Sequence, residues 1–126
     1  MRGAARQTIA AAAGDGAITM PTVLLVNGGT SGAAELFAAA LAGNQRAKLV
    51  GERTQGRTAL QKFVPLPDGA AMVVSNGWYL TPAGDPILER GLTPGVVVDV
   101  PDLDFGAAPP ATDPILQKAI ETAKGK

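Results

Sequence analysis

The sequence contains neither cysteine nor histidine, and these two absences exclude several kinds of chemistry. Without cysteine there is no disulfide, no thiolate nucleophile and no cysteine metal site. Without histidine there is no Ser-His-Asp triad, no Cys-His pair and none of the commonest metal ligand. A serine nucleophile in this chain would therefore need a lysine, a carboxylate or an amine terminus as its base.

Aromatic residues, net charge and long apolar runs are also scarce. Aromatic residues make up only 4% of the chain, so a core drawn from its 46% hydrophobic residues must be largely aliphatic. Lys plus Arg and Asp plus Glu each number 11, without a basic cluster, which argues against nucleic acid or an anionic membrane as a partner. No apolar run approaches the roughly 20 residues of a membrane-spanning helix. The 126 residues suffice for one small domain or for part of a larger one.

The first half of the chain follows a strand, helix, strand pattern. The continuous apolar run from Thr22 to Val26 is typical of a strand that is buried on both faces in a parallel sheet. An amphipathic helix is predicted from about Ala33 to Ala42, and a second strand from Ala47 to Gly51. The apolar stripe of that helix is predicted to consist of Leu36, Phe37, Ala40 and Leu41. The pattern predicts an α/β fold with a parallel crossover unit.

The second half predicts a β-hairpin, a last strand and a C-terminal helix. Two β-rich runs, 59–66 and 70–75, flank Pro67-Asp68-Gly69, and an Asp-Gly pair between such runs is a hairpin signal. Residues 96–100 are predicted to form the last strand. Asp113 and Pro114 indicate a helix start, with Asp as the N-cap. The apolar face of this helix is predicted to be Ile115, Leu116, Ala119, Ile120 and Ala123.

A small-residue turn, residues 27–32, joins the first strand to the first helix. Such a turn exposes backbone N–H groups at a helix start, where acyl-transfer enzymes place a nucleophile and an oxyanion hole. Residues 29–33, Gly-Thr-Ser-Gly-Ala, loosely fit the G-x-S-x-G nucleophile elbow. The alternative is a capped helix in which Thr30 or Ser31 accepts N–H bonds of the first turn. The phosphate-loop and dinucleotide patterns both fail, because no Lys follows Gly32 and the glycine spacing is wrong.

A second polar loop follows the second strand and holds Glu52, Arg53 and Arg57. By itself this composition indicates no more than a solvated loop with a surface ion pair of little energetic value. A functional interpretation requires the two loops to be considered together.

Taken together, the two loops resemble motifs of the carboxyl-terminal processing (tail-specific) serine proteases. Residues 25–35 read Leu-Val-Asn-Gly-Gly-Thr-Ser-Gly-Ala-Ala-Glu, where members of that family carry Leu-Val-Asn and then Ser-Ala-Ser-Ala-Ser-Glu. Residues 51–61 read Gly-Glu-Arg-Thr-Gln-Gly-Arg-Thr-Ala-Leu-Gln, against Gly-Glu-x-Thr-Phe-Gly-Lys-Gly-x-x-Gln. Residues 79–84 match Tyr-x-Thr-Pro-x-Gly, and 91–96 resemble Gly-Ile-x-Pro-Asp with Gly95 in place of the Asp.

The resemblance implies an α/β, ClpP/crotonase-like core, here partial, and catalysis by a Ser/Lys dyad with an assisting Gln. Aligning the motifs puts the nucleophile position at Gly32, the Lys position at Arg57 and the Gln at Gln61. The candidate oxyanion donors are the backbone amides of Gly28, Gly29 and Ala33. Glycine has no side chain to form an acyl-enzyme, and arginine stays protonated and cannot act as a general base.

These departures leave two interpretations of activity open. In one, the dyad is lost and the chain is inactive alone, or is a non-catalytic peptide- or ligand-binding scaffold, in which Arg57 could hold a peptide carboxylate. In the other, Ser31 acts as the nucleophile with Lys62 or a residue outside the chain as base. Ser31 lies one residue early, about 100° of rotation at a helix start, so it cannot simply inherit the geometry. A separate hypothesis is an assembly domain without a binding or catalytic site, in which the glycine-rich turn is only a tight connection between strand and helix.

The resemblance also sets expectations about extent, partners and location. Residues 1–20 are expected to be a leader or a remnant of an upstream core, and 21–126 the C-terminal half of a catalytic domain. Half a core should expose apolar surface, which a homo-oligomer or a strand-exchanged dimer would cover. The implied substrates are protein or peptide C-termini, and the implied location is outside the cytoplasm. No cofactor, metal or nucleic acid is expected.

Overall fold

The computed structural model describes residues 5–10, 19–101 and 110–125. Strands and helices alternate along the first half of this range, and a hairpin and a helix follow. The elements are β1 (Thr22–Val26), α1 (Ala33–Gly43), β2 (Ala47–Gly51), β3 (Ala59–Pro65), β4 (Ala71–Trp78), β5 (Val96–Val97) and α2 (Pro114–Lys124). The predicted bounds of β1 and β2 are confirmed, and α1 extends one residue beyond its predicted end.

β1, β2 and β5 form a parallel sheet with β2 in the centre, as the crossover pattern predicts. Leu49 and Val50 of β2 are both buried, and successive strand residues point to opposite faces, so both faces of β2 are covered. α1 packs against β2, and α2 packs against β1 and β2. The buried cluster on the α1 side consists of Val26, Ala38, Ala39, Leu49, Ile87 and Leu92.

The predicted apolar stripe of α1 is confirmed only in part, because Leu36 packs against the buried cluster and Leu41 is half-buried, but Phe37 and Ala40 are exposed. Glu35, Ala38 and Ala39 are the buried residues of this helix, whereas the ring of Phe37 is 59% exposed and Ala40 is exposed. Small alanines let the helix lie close to the sheet, and the hydrogen bonds of Glu35 fix its rotation. A pattern that counts only large apolar residues does not detect this orientation.

Helix α2 begins where the sequence predicts. Asp113 is its N-cap, and the Asp113 carboxylate accepts hydrogen bonds from the amides of Ile115 (2.9 Å) and Leu116 (3.1 Å). Of the predicted apolar face, only Ile115 and Ala119 are buried, while Leu116, Ile120 and Ala123 are exposed. The helix therefore contacts the sheet along a narrower stripe than its sequence pattern indicates.

The predicted last strand, 96–100, shortens to Val96–Val97. The Val98 amide still donates to the Gly51 carbonyl at 2.9 Å, but β2 ends at Gly51 and offers no further partner.

β3 and β4 form the predicted hairpin around Asp68-Gly69, as an antiparallel two-stranded sheet separate from the parallel one. In the described part of the chain these two strands pair only with each other. Their register shifts between Leu60 and Gln61, because β4 carries the extra residue Asn76 there. The side chains of Phe63, Val73 and Trp78 are each more than half exposed. The expected exposure of apolar strand surface is thus present and is concentrated in this hairpin.

Within the described ranges, no helix has the length and apolar character needed to cross a membrane.

Candidate active site

The carboxylate of Glu35 is fully buried and joins the two glycine-containing loops. Its Oε2 accepts hydrogen bonds from the amides of Gly32 (3.1 Å) and Arg57 (2.9 Å). Its Oε1 accepts hydrogen bonds from the Thr54 hydroxyl (2.5 Å) and the Gly56 amide (2.6 Å). Four donors satisfy a carboxylate that would otherwise be costly to bury. One residue of α1 therefore fixes the turn before the helix against the loop after β2.

A third loop, residues 87–92, is tied to the same place. The Thr54 hydroxyl accepts a hydrogen bond from the Leu92 amide at 2.7 Å, and the Thr54 amide donates to the Leu92 carbonyl at 3.0 Å. The Glu89 amide donates to the Gly56 carbonyl at 2.8 Å. Gly91 has φ +66°, and a Cβ at this position would lie 2.1 Å from the Thr54 carbonyl oxygen. Only glycine permits this approach, so the three loops form one rigid unit around Glu35.

Gly32 is the N-cap of α1, with φ +60° and ψ −124°. A Cβ added there would meet nothing nearer than the Arg57 carbonyl oxygen, at 3.8 Å. A side chain therefore has room at this position, although the backbone conformation is one that residues other than glycine rarely adopt. The position lies at the positive end of the helix dipole, where a developing negative charge is stabilised. It is the place where the sequence alignment puts the nucleophile.

The predicted side-chain cap by Thr30 or Ser31 is wrong, because neither hydroxyl accepts a hydrogen bond from the first turn of α1. The side chain bound at the helix start is that of Glu35, which accepts a hydrogen bond from the Gly32 amide. The Thr30 hydroxyl instead accepts a hydrogen bond from the Asn27 amide at 3.0 Å, and the Thr30 amide donates to the Asn27 carbonyl at 2.9 Å. The Asn27 side chain accepts a further bond from the Gly29 amide at 3.0 Å. Local bonds between Asn27 and Thr30 thus complete the turn and compete with capping.

Most of the other candidate catalytic groups in this turn make no hydrogen bond to another described residue. Ser31 is half-buried, and neither its hydroxyl nor its amide has a hydrogen-bond partner among the described residues. The same holds for the amides of Gly28 and Ala33, whereas the amide of Gly29 is used within the turn. Of the three candidate oxyanion amides, those of Gly28 and Ala33 therefore make no hydrogen bond to another described residue.

Arg57 has a fixed backbone and an exposed side chain. Across the ranges the structure describes, its guanidinium makes no ion pair within 4 Å, and Glu52 makes none either. The surface ion pair expected in this loop is therefore absent there. The Arg53 guanidinium bonds through Nε to the Arg90 carbonyl at 2.5 Å and so belongs to the contact between loops.

Gln61 and Lys62 lie on β3 and are exposed. Neither takes part in the hydrogen bonds around Glu35 that the described residues make. The structure thus brings together the backbones at Gly32 and Arg57, with Ser31 beside them. It leaves the predicted assisting glutamine and the alternative lysine base outside this network.

Sequence reasoning missed the structural centre of the site. Glu35 appears there only as the last residue of the first motif, although a glutamate three residues after a helix N-cap is a recognised sign that its side chain bonds to the N-cap amide. Thr54, Gly91 and Leu92 lie within the matched motifs, but nothing in the sequence indicates that they meet near Glu35. Thr58 was also missed. It is only 2% exposed, and its hydroxyl has no hydrogen-bond partner within residues 5–10, 19–101 and 110–125.

Comparison with known proteins identifies the class. The model of Peptidase family S41 matches residues 2–98, and the chain belongs to that family. A carboxyl-terminal-processing protease of Synechocystis sp. is 40% identical over 112 residues, which are 89% of this chain and 26% of that protein. A chloroplastic C-terminal processing peptidase of Tetradesmus obliquus is 43% identical over 79 residues, 63% of this chain and 17% of that protein. The chain spans about a quarter or less of the length of these relatives.

Solved structures agree with this assignment. A photosystem II D1 C-terminal processing protease matches with a TM-score of 0.60 and 43% identity, over 63% of this chain and 20% of that one. A lipoprotein from Streptococcus agalactiae shares the fold with a TM-score of 0.62 at 22% identity, over 82% of this chain and 31% of that one. The described elements, a parallel sheet with a hairpin, are therefore a mixed α/β fragment similar to S41 protease cores.

Proposed function

We propose that this chain carries a serine-peptidase site whose frame is kept and whose dyad is lost, so that the chain alone does not hydrolyse peptides. One observation carries the proposal. Glu35 holds the helix start and the Arg57 loop together, while the nucleophile position is Gly32 and the base position is Arg57. The frame without its reactive groups supports a site that can bind but lacks the atoms for acyl transfer.

The chemistry follows from the two side chains. A serine-type peptidase needs a hydroxyl at the helix start and a neutral amine near it to accept the proton. Gly32 supplies no atom beyond its backbone, and the Arg57 guanidinium keeps its proton in proteins. A Cβ at Gly32 meets only an ordinary contact, so space does not prevent a serine there, although φ +60° strains any side chain at this position. Restoring both side chains is therefore a direct test.

The test compares the natural chain with the double variant Gly32→Ser, Arg57→Lys after treatment with a fluorophosphonate and peptide mapping by mass spectrometry. We expect no adduct on the natural chain and an adduct on residue 32 of the double variant. Gly32→Ala with Arg57→Lys is the matched control, since it adds the Cβ and its strain without the hydroxyl. An adduct on the natural chain would contradict loss of the dyad.

The residue that carries an adduct on the natural chain would test the alternative in which Ser31 is the nucleophile. Ser31 is half-buried and its hydroxyl is unengaged within the described ranges, which favours it as the only candidate for a rewired nucleophile in this turn. Ser31→Ala should leave the labelling of the double variant at residue 32 intact. If labelling of the natural chain occurs and disappears in Ser31→Ala, then Ser31 is the nucleophile and the lost-dyad proposal is wrong.

A second candidate function is the binding of a peptide carboxylate, and the exposed Arg57 favours it. Its guanidinium makes no ion pair with a carboxylate in the described part of the chain. A planar guanidinium can bind a carboxylate through two parallel hydrogen bonds. Arg57→Ala should abolish binding of a peptide with a free C-terminus, whereas its C-terminal amide should bind poorly to both proteins. Equal binding of acid and amide would overturn this role.

The wider activity is proposed from the relatives. Their printed names describe processing at carboxyl termini, so we infer protein C-termini as the substrate class of any longer protein containing this region. We also propose a ClpP/crotonase-like core, a division of the chain at residues 1–20 and 21–126, and a site without metal or cofactor. Homo-oligomerisation is a further proposal.

A further inference from the structure

We propose that Asn27 is a site of spontaneous modification, at which the side-chain amide is converted to aspartate and isoaspartate and the turn before α1 is opened by the isoaspartate. The inference does not depend on whether the site is catalytic. It begins with the sequence, in which Asn27 is followed by Gly28. Asparagine is one of the thermolabile residues of proteins. A glycine after it has no Cβ to obstruct attack by its own amide nitrogen.

The reaction requires no reagent other than water. The backbone nitrogen of Gly28 attacks Cγ of Asn27 and forms a new C–N bond. The bond from Cγ to Nδ2 breaks, and Nδ2 leaves with the Gly28 amide proton as ammonia. Water then opens the cyclic imide at either of its two carbonyls. Opening at Cγ gives aspartate, and opening at the backbone carbonyl gives isoaspartate, in which the main chain runs through Cβ and Cγ.

The backbone at Gly28 favours this attack. The Gly28 amide makes no hydrogen bond to another described residue, so its nitrogen gives up no such bond when it reacts. Asn27 and Gly28 are both exposed, so water reaches the imide and ammonia can leave. A Cβ built on Gly28 has nothing within 4 Å, which shows that the chain has room to rotate at this point.

The side chain of Asn27 is already folded over the attacking atom. Its Oδ1 accepts hydrogen bonds from the Gly29 amide at 3.0 Å and from the Thr30 hydroxyl at 3.3 Å. The ring closed by the Gly29 bond is an Asx-turn, and it contains the Gly28 nitrogen. The two donors also stabilise the negative charge that develops on Oδ1 when the nitrogen adds to Cγ. No described residue bonds to Nδ2, so the leaving group is not held.

The other asparagines of the chain, Asn44 and Asn76, are placed less favourably. Asn44 is followed by a glutamine, which has a Cβ, and its Nδ2 donates to a carbonyl of α1 at 2.7 Å. Asn76 is followed by Gly77 but lies in β4, where Gly77 is paired with a residue of β3. Side chains of strand residues stand roughly perpendicular to the sheet, away from the next amide. Asn27 should therefore react first.

The test incubates the full chain at mildly alkaline pH in heavy-oxygen water and maps its peptides by mass spectrometry. We expect oxygen from water at residue 27, as aspartate and isoaspartate, before it enters at Asn44 or Asn76. Gly28→Ala is the matched variant, since its methyl group has space and its φ lies outside the left-handed region. It should slow the conversion at least about tenfold, because the Cβ raises the barrier to ring closure. Equal rates in both chains, or an intact Asn27 after Asn76 has reacted, would overturn the proposal.

The structural effect is measured by hydrogen exchange of the Thr30 amide, which donates to the Asn27 carbonyl at 2.9 Å. Isoaspartate adds a methylene to the main chain, so this bond cannot keep its geometry and the amide should exchange faster in the aged protein. Asn27→Asp is the control, since it brings the charge without the methylene and keeps an acceptor for Gly29. Equal exchange in the aged protein and in Asn27→Asp would overturn the opening of the turn.

Discussion

At the scale of single residues, Glu35 sets the candidate site. Its carboxylate accepts four hydrogen bonds, from Gly32, Thr54, Gly56 and Arg57, and none of these donors is charged. Removing one acceptor oxygen in such a place leaves backbone amides buried without a partner. The loops that carry the site then lose the group that joins them.

Glu35→Gln should therefore destabilise the chain by about 2 to 3 kcal/mol, because the new NH₂ group must face amides that need an acceptor. The measurement is the free energy of unfolding in urea. Glu121→Gln is the matched control, since Glu121 forms only an exposed ion pair with Lys118 at 2.9 Å, and its loss should change the unfolding free energy by less than about 1 kcal/mol. Equal effects of the two changes would show that Glu35 does not join the loops.

The buried threonines Thr54 and Thr58 give a second comparison at this scale. The Thr54 hydroxyl donates to Glu35 and accepts from Leu92, whereas the Thr58 hydroxyl has no hydrogen-bond partner in the part of the chain that the structure describes. Thr58→Val should raise the unfolding free energy by about 1 kcal/mol, and Thr54→Val should lower it by about 2 kcal/mol. Both are read from thermal and urea unfolding of the single variants. A loss of stability in Thr58→Val would indicate that its hydroxyl has a partner, such as a bound water.

At the scale of elements, local signals predicted most of the fold. The β1 and β2 runs, the Asp-Gly hairpin and the Asp113 cap each lie within a few neighbouring residues, and the structure confirms them. The rotation of α1 was not predictable in the same way. It depends on a buried glutamate whose four partners lie up to 22 residues away along the chain. The loop at 87–92 and the positive φ of Gly32 likewise depend on contacts that sequence spacing does not contain.

The cap of α2 allows a test at the element scale. Asp113→Ala removes the acceptor for two amides and should lower stability by about 1 kcal/mol, whereas Asp113→Ser should keep most of it. Because α2 packs on β1 and β2, the loss should appear in global unfolding and in the helical signal of circular dichroism together. A helical signal that falls while the unfolding midpoint stays fixed would mean that α2 contributes little to the stability of the sheet.

At the scale of the whole molecule, the described chain divides into a packed part and an exposed part. The parallel sheet is covered by α1 and α2, and its central strand contains Val50, which is fully buried. The hairpin makes extensive contacts only between its own strands. The residues of the candidate site belong to the packed part, with the exception of Gln61 and Lys62 on β3. The hydrogen bonds around Glu35 therefore do not depend on whether the hairpin is folded.

Hydrogen exchange should make this division visible. Amides of β2 should exchange only through global unfolding, while those of β3 and β4 should exchange faster, because opening the hairpin exposes little additional apolar surface. The measurement is amide exchange followed residue by residue in the unmodified chain. Protection of the hairpin equal to that of β2 would show that the hairpin opens only when the whole chain unfolds.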